Sequence, residues 1–420
     1  MLDIKFIREN PQVVKEGIAK KGEVDRIDEV LRLDARRREI ISQGEVFKSK
    51  RNSVSAEVGK LKREGKDASA VIAEMEEVKN QIKKFDDELA GIEIDLNKLL
   101  LTIPNIPHPD VPVGKTPADN KEISRWGEIV KPEFDMKPHW DLVQKLDIID
   151  FERGVKITGA GFPIYKDKGA KLQRALINFF LDEAATRGYK EIQPPLMINT
   201  ASATGTGQLP DKEDLMYTIP RDEFYMVPTA EVPVTNIFRD EILTEQQLPI
   251  KFCAYTPCFR REAGSYGKDV RGLNRLHQFD KVELVKFVHP EKSYEELEGL
   301  REDAERLLQL LGLPYHVLLM CTGDMGFTQA KKYDLEVWAP AQQRWLEVSS
   351  ISNFEAFQAR RMNIRFRPST GKPEIVHTLN GSGLALPRVV AALLEHYQTP
   401  EGKVVVPKVL HKYTGFEVIG

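Results

Sequence analysis

Apolar residues recur every seven positions between residues 30 and 103. Leu33, Ile40, Phe47, Val54 and Leu61 form one column, and Val71, Val78, Phe85, Ile92 and Leu99 form another. Met75, Ile82, Leu89, Leu96 and Ile103 make a companion column in the later segment. A heptad pattern held this long predicts two long helices of coiled-coil type. The first is less regular, with Arg37, Gly44 and Arg51 at its companion positions. Between them "REGKDAS" offers Gly65 as a breaker and Asp67 or Ser69 as an N-cap, so the helices fold back as an antiparallel hairpin. About 35 residues at about 1.5 Å each give an arm of roughly 50 Å.

The pattern stops at "IPNIPHPDVPVG", with four prolines from Pro104 to Pro112, read as a stiff linker. The expected division is an N-terminal domain over residues 1–103, a linker over 104–125 and a larger domain over 126–420. In the last, "GAKLQRALINFFLDEAATRG" has helical spacing and ends on Gly188. "YKEIQPPLMI" reads as a short strand closed by Pro194 and Pro195. "PIKFCAYTPCFRRE" and "LHQFDKVELVKF" read as long strands around a loop from about Ala263 to Arg275. "SYEELEGLREDAERLLQLLG" reads as a helix capped by Ser293. "KKYDLEVWAPAQQRWLEVSSISN" reads as two strands joined by a turn, and "SGLALPRVVAALLEHYQ" becomes helical. Helices do not alternate regularly with strands. The predicted class is therefore α+β, on a mostly antiparallel sheet flanked by helices.

Composition narrows the function classes. The 420 residues are 41% hydrophobic and 30% charged, with net charge −3, so any nucleic-acid surface is local. Apolar runs are too short to span a membrane, and the first residues lack the apolar core of a signal peptide. Cys253, Cys258 and Cys321 make no disulfide framework and match no zinc spacing, which fits buried or free thiols in a reducing, cytoplasmic setting. Charge is uneven along the arm. Residues 31–66 carry eleven Lys/Arg against five Asp/Glu, and residues 67–100 carry four against nine. Two readings stay open: neutralisation across the hairpin, or phosphate contacts from Arg36, Arg37, Arg38, Lys48, Lys50, Arg51, Lys60, Lys62 and Arg63.

No P-loop is present, and "TGTGQLP" lacks the strand–turn–helix context of a dinucleotide site. "FRREAGSYGKDVRG" suits polyphosphate better. Arg260 stands at a strand end, Lys268 and Arg271 add charge, and Gly264, Gly267 and Gly272 let the loop fold over a ligand. An exposed basic hairpin is the alternative. Glu262, Glu283 and Glu347 fall in strand contexts nearby. Glu347 precedes Ser349 and Ser350, oxygen ligands suited to Mg²⁺. Arg388 lies near the start of a helix, a setting for anionic phosphate.

Together these segments resemble the bacterial-type seryl-tRNA synthetases, a branch of the class II aminoacyl-tRNA synthetases, almost end to end. The segment ending at Pro194-Pro195 resembles motif 1, "CFRREAGSYGKDVRGLNRLHQFDKVEL" motif 2, and "NGSGLALPRVVAALLE" motif 3. "PTAEVP", "TGTGQLP", "EVSSISNFEAFQARR" and "HTLNGSGLA" are similar to segments of the seryl branch. Ile351 stands where many relatives have cysteine, and "LALPR" where many have "LAVGR"; neither removes a charged or ligand position.

The resemblance implies a homodimeric serine–tRNA ligase that uses ATP and Mg²⁺ to activate L-serine. It then charges tRNA(Ser), and tRNA(Sec) as well. Thr229, Ala230, Glu231, Glu283 and Ser382 would bind serine. Arg260 would bridge serine and the ATP α-phosphate, beside Arg261 and Glu262. Phe279 would stack on adenine. Glu347, Val348, Ser349 and Ser350 would contact ATP, with Glu347 and Ser350 holding Mg²⁺, and Arg388 would reach the γ-phosphate. Arg260, Glu347 and Arg388 would carry catalysis, and Arg36, Arg37, Lys50 and Arg51 would touch tRNA. The rivals are a synthetase-like paralogue serving a carrier protein and an inactive coiled-coil scaffold.

Overall fold

The computed structural model describes residues 1–129, 133–210, 214–262 and 271–420. The expected loop glycines Gly264 and Gly267, and Lys268, lie outside the described residues. The chain forms two compact units: residues 1–19 with 23–104, and residues 20–22 with 105–420.

The first unit is helical. Its long helices, Ile27–Arg63 and Ser69–Leu100, have 37 and 32 residues. Gly65 adopts a φ of +64° between them, and Asp67 Oδ1 accepts from the Ser69 N–H and hydroxyl at 2.9 and 2.6 Å. Ion pairs Arg36–Glu88, Arg37–Glu93 and Lys50–Glu74, at 2.7, 3.2 and 2.7 Å, run in opposite chain directions, as antiparallel packing requires. In the second helix the heptad positions are covered and most others exposed. Phe47 meets Phe85 with ring centroids 5.4 Å apart. The less regular first helix gains a polar anchor: buried Asp34 accepts from Arg8 Nη1 at 2.9 Å and Arg38 Nε at 3.1 Å.

The second unit is built on eight strands: β1 (Lys121–Trp126), β2 (Lys190–Glu191), β3 (Ile250–Phe259), β4 (Gln278–Val288), β5 (Tyr315–Leu319), β6 (Lys331–Ala339), β7 (Arg344–Glu355) and β8 (His377–Ala385). They lie in the order β1-β5-β6-β7-β8-β4-β3-β2, all antiparallel except β2 beside β3. Side-chain alternation divides the faces. Leu284, Val317, Leu335 and Ile351 meet Phe179, Phe180, Leu307, Leu308 and Leu393 from helices Asp167–Thr186, Ser293–Leu311 and Leu386–His396. Phe252, Val285 and Phe287 point to a second cluster with Ile364 and Phe366.

Several local expectations differ from the fold. Ser293 lies inside its helix, which makes no side-chain cap; the Ser293 hydroxyl lies 2.9 Å from His377 Nδ1 instead. The proline-rich stretch after residue 104 is strapped along the second unit rather than spanning free space. Asn105 N–H donates to Phe327 O at 3.0 Å, Asn105 Nδ2 to Phe354 O at 2.9 Å and His108 N–H to Ala330 O at 2.8 Å. Prolines have no N–H, so the residues between them make these bonds. Residues 121–126, counted in the linker up to 125, form edge strand β1.

Phe180 is fully buried among the helices on the sheet. Phe180→Ala removes a ring that the surrounding side chains cannot replace, so it should cost about 3–5 kcal/mol. Urea unfolding of the full chain should show a lower midpoint at unchanged slope.

Candidate active site

Strand register assembles the site. β3 and β4 pair with Phe279 opposite Cys258, β4 and β8 with Glu283 opposite Ser382, and β6 and β7 with Asp334 opposite Ser350. Residues two apart share a face, so Lys281 accompanies Glu283, Asn380 accompanies Ser382 and Lys332 accompanies Asp334. All but Asp334 line one cavity of about 380 Å³, together with Thr229, Glu231, Arg260, Glu262, Phe279, Glu347, Val348, Ser349, Ser350 and Arg388.

One end of the cavity is a buried, hydrogen-bonded acidic pocket. Glu283, 1% exposed, accepts from Asn380 Nδ2 at 2.9 Å and from the Thr229 hydroxyl at 3.3 Å. Lys281 Nζ lies 2.5 Å from Glu283 Oε2 and donates to Thr229 Oγ1 at 2.8 Å. Glu231 stands beside them. Its Oε1 accepts from Gln358 Nε2 at 2.7 Å, and Gln358 is fixed in turn by the Thr378 hydroxyl at 2.8 Å. Burial, with the neighbouring Glu283 charge adding to it, pushes the Glu231 carboxyl up to about 7.

The other end is cationic and more open. Arg260 follows the last residue of β3; its Nε donates to Pro228 O at 3.1 Å and its guanidinium lies 5.2 Å from the Phe279 ring centre. Arg388, in the first turn of its helix, donates from Nε to Asn274 O at 2.9 Å and from Nη1 to Glu347 O at 2.8 Å. Burial opposes ionisation of Glu347, yet Arg388, Lys332, Arg260 and Lys281 together hold its carboxyl below the usual range. Burial pushes the neighbouring Asp334 the other way, despite Lys332 Nζ at 3.2 Å. The Ser349 hydroxyl donates to Ser382 O at 2.6 Å and so ties β7 to β8. Among the described residues, no group of three His, Cys, Asp or Glu side chains is placed to hold a metal.

Not every candidate reaches the cavity. Ala230 is buried in the second cluster, and Arg261 turns to Asp214 at 3.1 Å. Glu262, at a φ of +48°, accepts from Arg275 Nη1 at 2.9 Å at the cavity rim. Arg36, Arg37, Lys50 and Arg51 belong to the first unit. The three cysteines are free and buried, and burial raises the Cys253 thiol to about 12. Lys281, Asn380, Lys332, Asp334 and Gln358 were missed from sequence. A two-residue step from Glu283 or Ser382 would have found the first two.

Two family models match the chain: the seryl-tRNA synthetase N-terminal domain over residues 1–107, and the tRNA synthetase class II core domain (G, H, P, S and T) over residues 217–397. The chain is 57% identical over 425 residues to the serine–tRNA ligase of Salinibacter ruber, covering 100% of this chain and 99% of that relative. It is also 57% identical over 418 residues to the serine–tRNA ligase of Bacillus subtilis, covering 99% and 98%. Among solved structures it is similar to the seryl-tRNA synthetase of Pyrococcus horikoshii complexed with ATP, with TM-score 0.94, 39% identity and coverage of 100% and 99%.

The raised Glu231 carboxyl has a stability consequence. Its folded pKa of about 7 exceeds the ordinary 4.5, so the native state binds the proton more tightly than the unfolded chain. This contribution is full below the ordinary value and is lost as pH rises towards 7. Glu231→Gln keeps an oxygen for Gln358 and cannot ionise. Its thermal midpoint relative to the parent should therefore rise by a few degrees between pH 5 and pH 8 in calorimetry.

Proposed function

Because the chain belongs to the seryl-tRNA synthetase family, with a class II core, we propose that the cavity is where it activates L-serine with ATP and then charges tRNA(Ser). The observation that carries this reading is the meeting of two unlike compartments in one cavity. A buried pocket holding Glu231 and Glu283 opens onto an arginine-bearing pocket lined by Phe279.

In this reading Glu231, once ionised, holds the serine ammonium. Glu283, paired with Lys281 and oriented by Asn380, accepts from the serine hydroxyl, with Thr229 and Ser382 closing the pocket. Alanine would leave those polar groups unpaired and is rejected for that reason. Ala230 fills the wall behind them. Arg260 draws the serine carboxylate to the α-phosphate, Phe279 stacks on adenine and Arg388 holds the γ-phosphate. Glu262 shapes the rim while Arg261 pairs with Asp214, and Val348, Ser349 and Ser350 line the ATP side. A serine carboxylate oxygen bonds to the α-phosphorus as the bond to the bridging oxygen breaks, releasing pyrophosphate. A terminal ribose hydroxyl of the tRNA then attacks the seryl carbonyl, and AMP leaves. No side chain acts as nucleophile; arginines placed in advance stabilise the spreading charge.

An ionised Glu347 and the Ser350 hydroxyl are hard oxygen donors that fit Mg²⁺, an ion that takes few protein ligands and completes its shell with phosphate and water. Bound there, it would neutralise phosphate charge. On the arm, Arg36, Arg37 and Lys50 already pair with Glu88, Glu93 and Glu74. Exposed Arg51, Lys60 and Lys62 make no ion pair among the described residues and offer the stronger phosphate contacts. The proposal includes tRNA(Sec) as a second RNA substrate, a cytoplasmic location and a homodimer. Exposed Leu196, Met197, Phe224, Ile237 and Ile242 on the second unit support an apolar contact with another copy. No described helix is long and apolar enough to cross a membrane.

ATP–pyrophosphate exchange without tRNA should run with serine and not with threonine, alanine or glycine. Exchange with another amino acid would favour the carrier-protein paralogue, and none at all would favour the scaffold. Arg388→Ala should lower exchange by roughly 100-fold or more. Charge reversal of Arg51, Lys60 and Lys62 together should leave exchange unchanged and weaken tRNA binding, with a shallower dependence on salt. Equal loss of both activities would remove the arm from the proposal.

A further inference from the structure

Behind the arginine end of the cavity lies a polar network that the reaction as described does not use. His139 and Glu395 are both fully buried. Glu395 Oε1 accepts from the His139 N–H at 3.0 Å, from His139 Nδ1 at 3.0 Å and from Gln342 Nε2 at 2.8 Å. Its Oε2 accepts from the N–H groups of Ala341 and Gln342 at 3.1 and 3.3 Å. The Leu273 N–H donates to His139 Nε2 at 2.9 Å. A backbone N–H can only donate, so Nε2 is the acceptor and Nδ1 carries the proton.

From there the network leads to the cavity. Asn274 Nδ2 donates to Gln342 Oε1 at 2.9 Å, and Asn274 O takes the Arg388 Nε bond at 2.9 Å. Leu273 and Asn274 both line the cavity. Arg388 and Glu395 stand two turns apart on one side of the helix Leu386–His396. One helix thus carries the arginine at its start and, near its end, the carboxylate that fixes the arginine's acceptor. Gly272 completes the fit. Its φ is +66°, and a Cβ there would come within 2.3 Å of His139 Nε2.

We propose that His139 and Glu395 are positioning residues for adenylate formation, holding Leu273 and Asn274 so that the Asn274 carbonyl aims Arg388 at the nucleotide. The inference rests on the assignment of ATP to the Arg260–Phe279–Arg388 end of the cavity. A buried carboxylate with five donors is an expensive way to fill a core, since apolar side chains of similar volume would serve stability as well or better. Here the donors it gathers lead to the segment that carries Arg388's acceptor.

The test is steady-state pyrophosphate exchange, varying ATP and serine separately, on the full chain. Glu395→Gln replaces one oxygen with an amide that opposes N–H donors in either orientation. His139→Phe keeps the ring and loses both nitrogens. Both variants should raise KM for ATP roughly tenfold while KM for serine moves less than about twofold. His139→Gln, whose amide oxygen can accept from Leu273 N–H, should recover part of the loss. If His139→Phe does not fold, Glu395→Gln and Gln342→Leu carry the test. Equal rises in both KM values would mean a merely structural role and would overturn the inference. A folded Glu395→Gln with unchanged KM for ATP, alongside an Arg388→Ala that raises it, would overturn the inference alone. An Arg388→Ala that leaves KM for ATP unchanged would overturn the site assignment and the inference with it.

Discussion

Lys281 and Glu283 pair on one buried face of β4, an interior strand of the eight-stranded sheet. Burying a carboxylate without partners is costly. The lysine two residues earlier, the asparagine on β8 and the Thr229 hydroxyl supply those partners together. Other features follow from this pairing. The second carboxylate, Glu231, is buried beside Glu283, and burial first and that neighbour second raise its pKa to about 7. Arg388, Lys332, Arg260 and Lys281 act together on Glu347. A gradient from anionic to cationic surface thus arises within one cavity.

The legible part of the sequence was the part written locally. The heptads between residues 30 and 103 gave two helices and their turn, because covered positions in an arm repeat with the helix itself. Arg260, Glu283, Glu347 and Arg388 could be singled out as charges at the ends or in the middle of strand and helix patterns. Gln358 could not: it meets Glu231 across 127 positions and looks like any helix residue in its own neighbourhood. His139 and Glu395 are 256 positions apart. A long-range hydrogen bond leaves no period in the sequence, and only the folded chain brings its ends together.

The arm shows the opposite limit. Its charge asymmetry was plain, but not which charges would be spent within the hairpin. Facing residues are set by the packing of one helix on the other, and this engages Arg36, Arg37 and Lys50 while leaving Arg51 outward. The proline-rich stretch misled for a related reason. Proline marks an extended backbone equally well in a free spacer and in a strap bound along a surface. The difference lies in the acceptors, Phe327, Ala330 and Phe354, which come more than 200 positions later.

That strap and the edge strand after it bear on the order of events as the chain leaves the ribosome. The two helices of the arm pair with each other within the first hundred or so residues and can form as soon as they emerge. β1 pairs with β5, with Lys121 opposite Leu319, so it must wait for about two hundred further residues. Long loop closure is slow, and unpaired strands are exposed meanwhile. The early prolines are therefore useful before they are structural. They keep the strap ahead of β1 extended and poor in donors, and so a weak template for pairing with a neighbouring nascent chain.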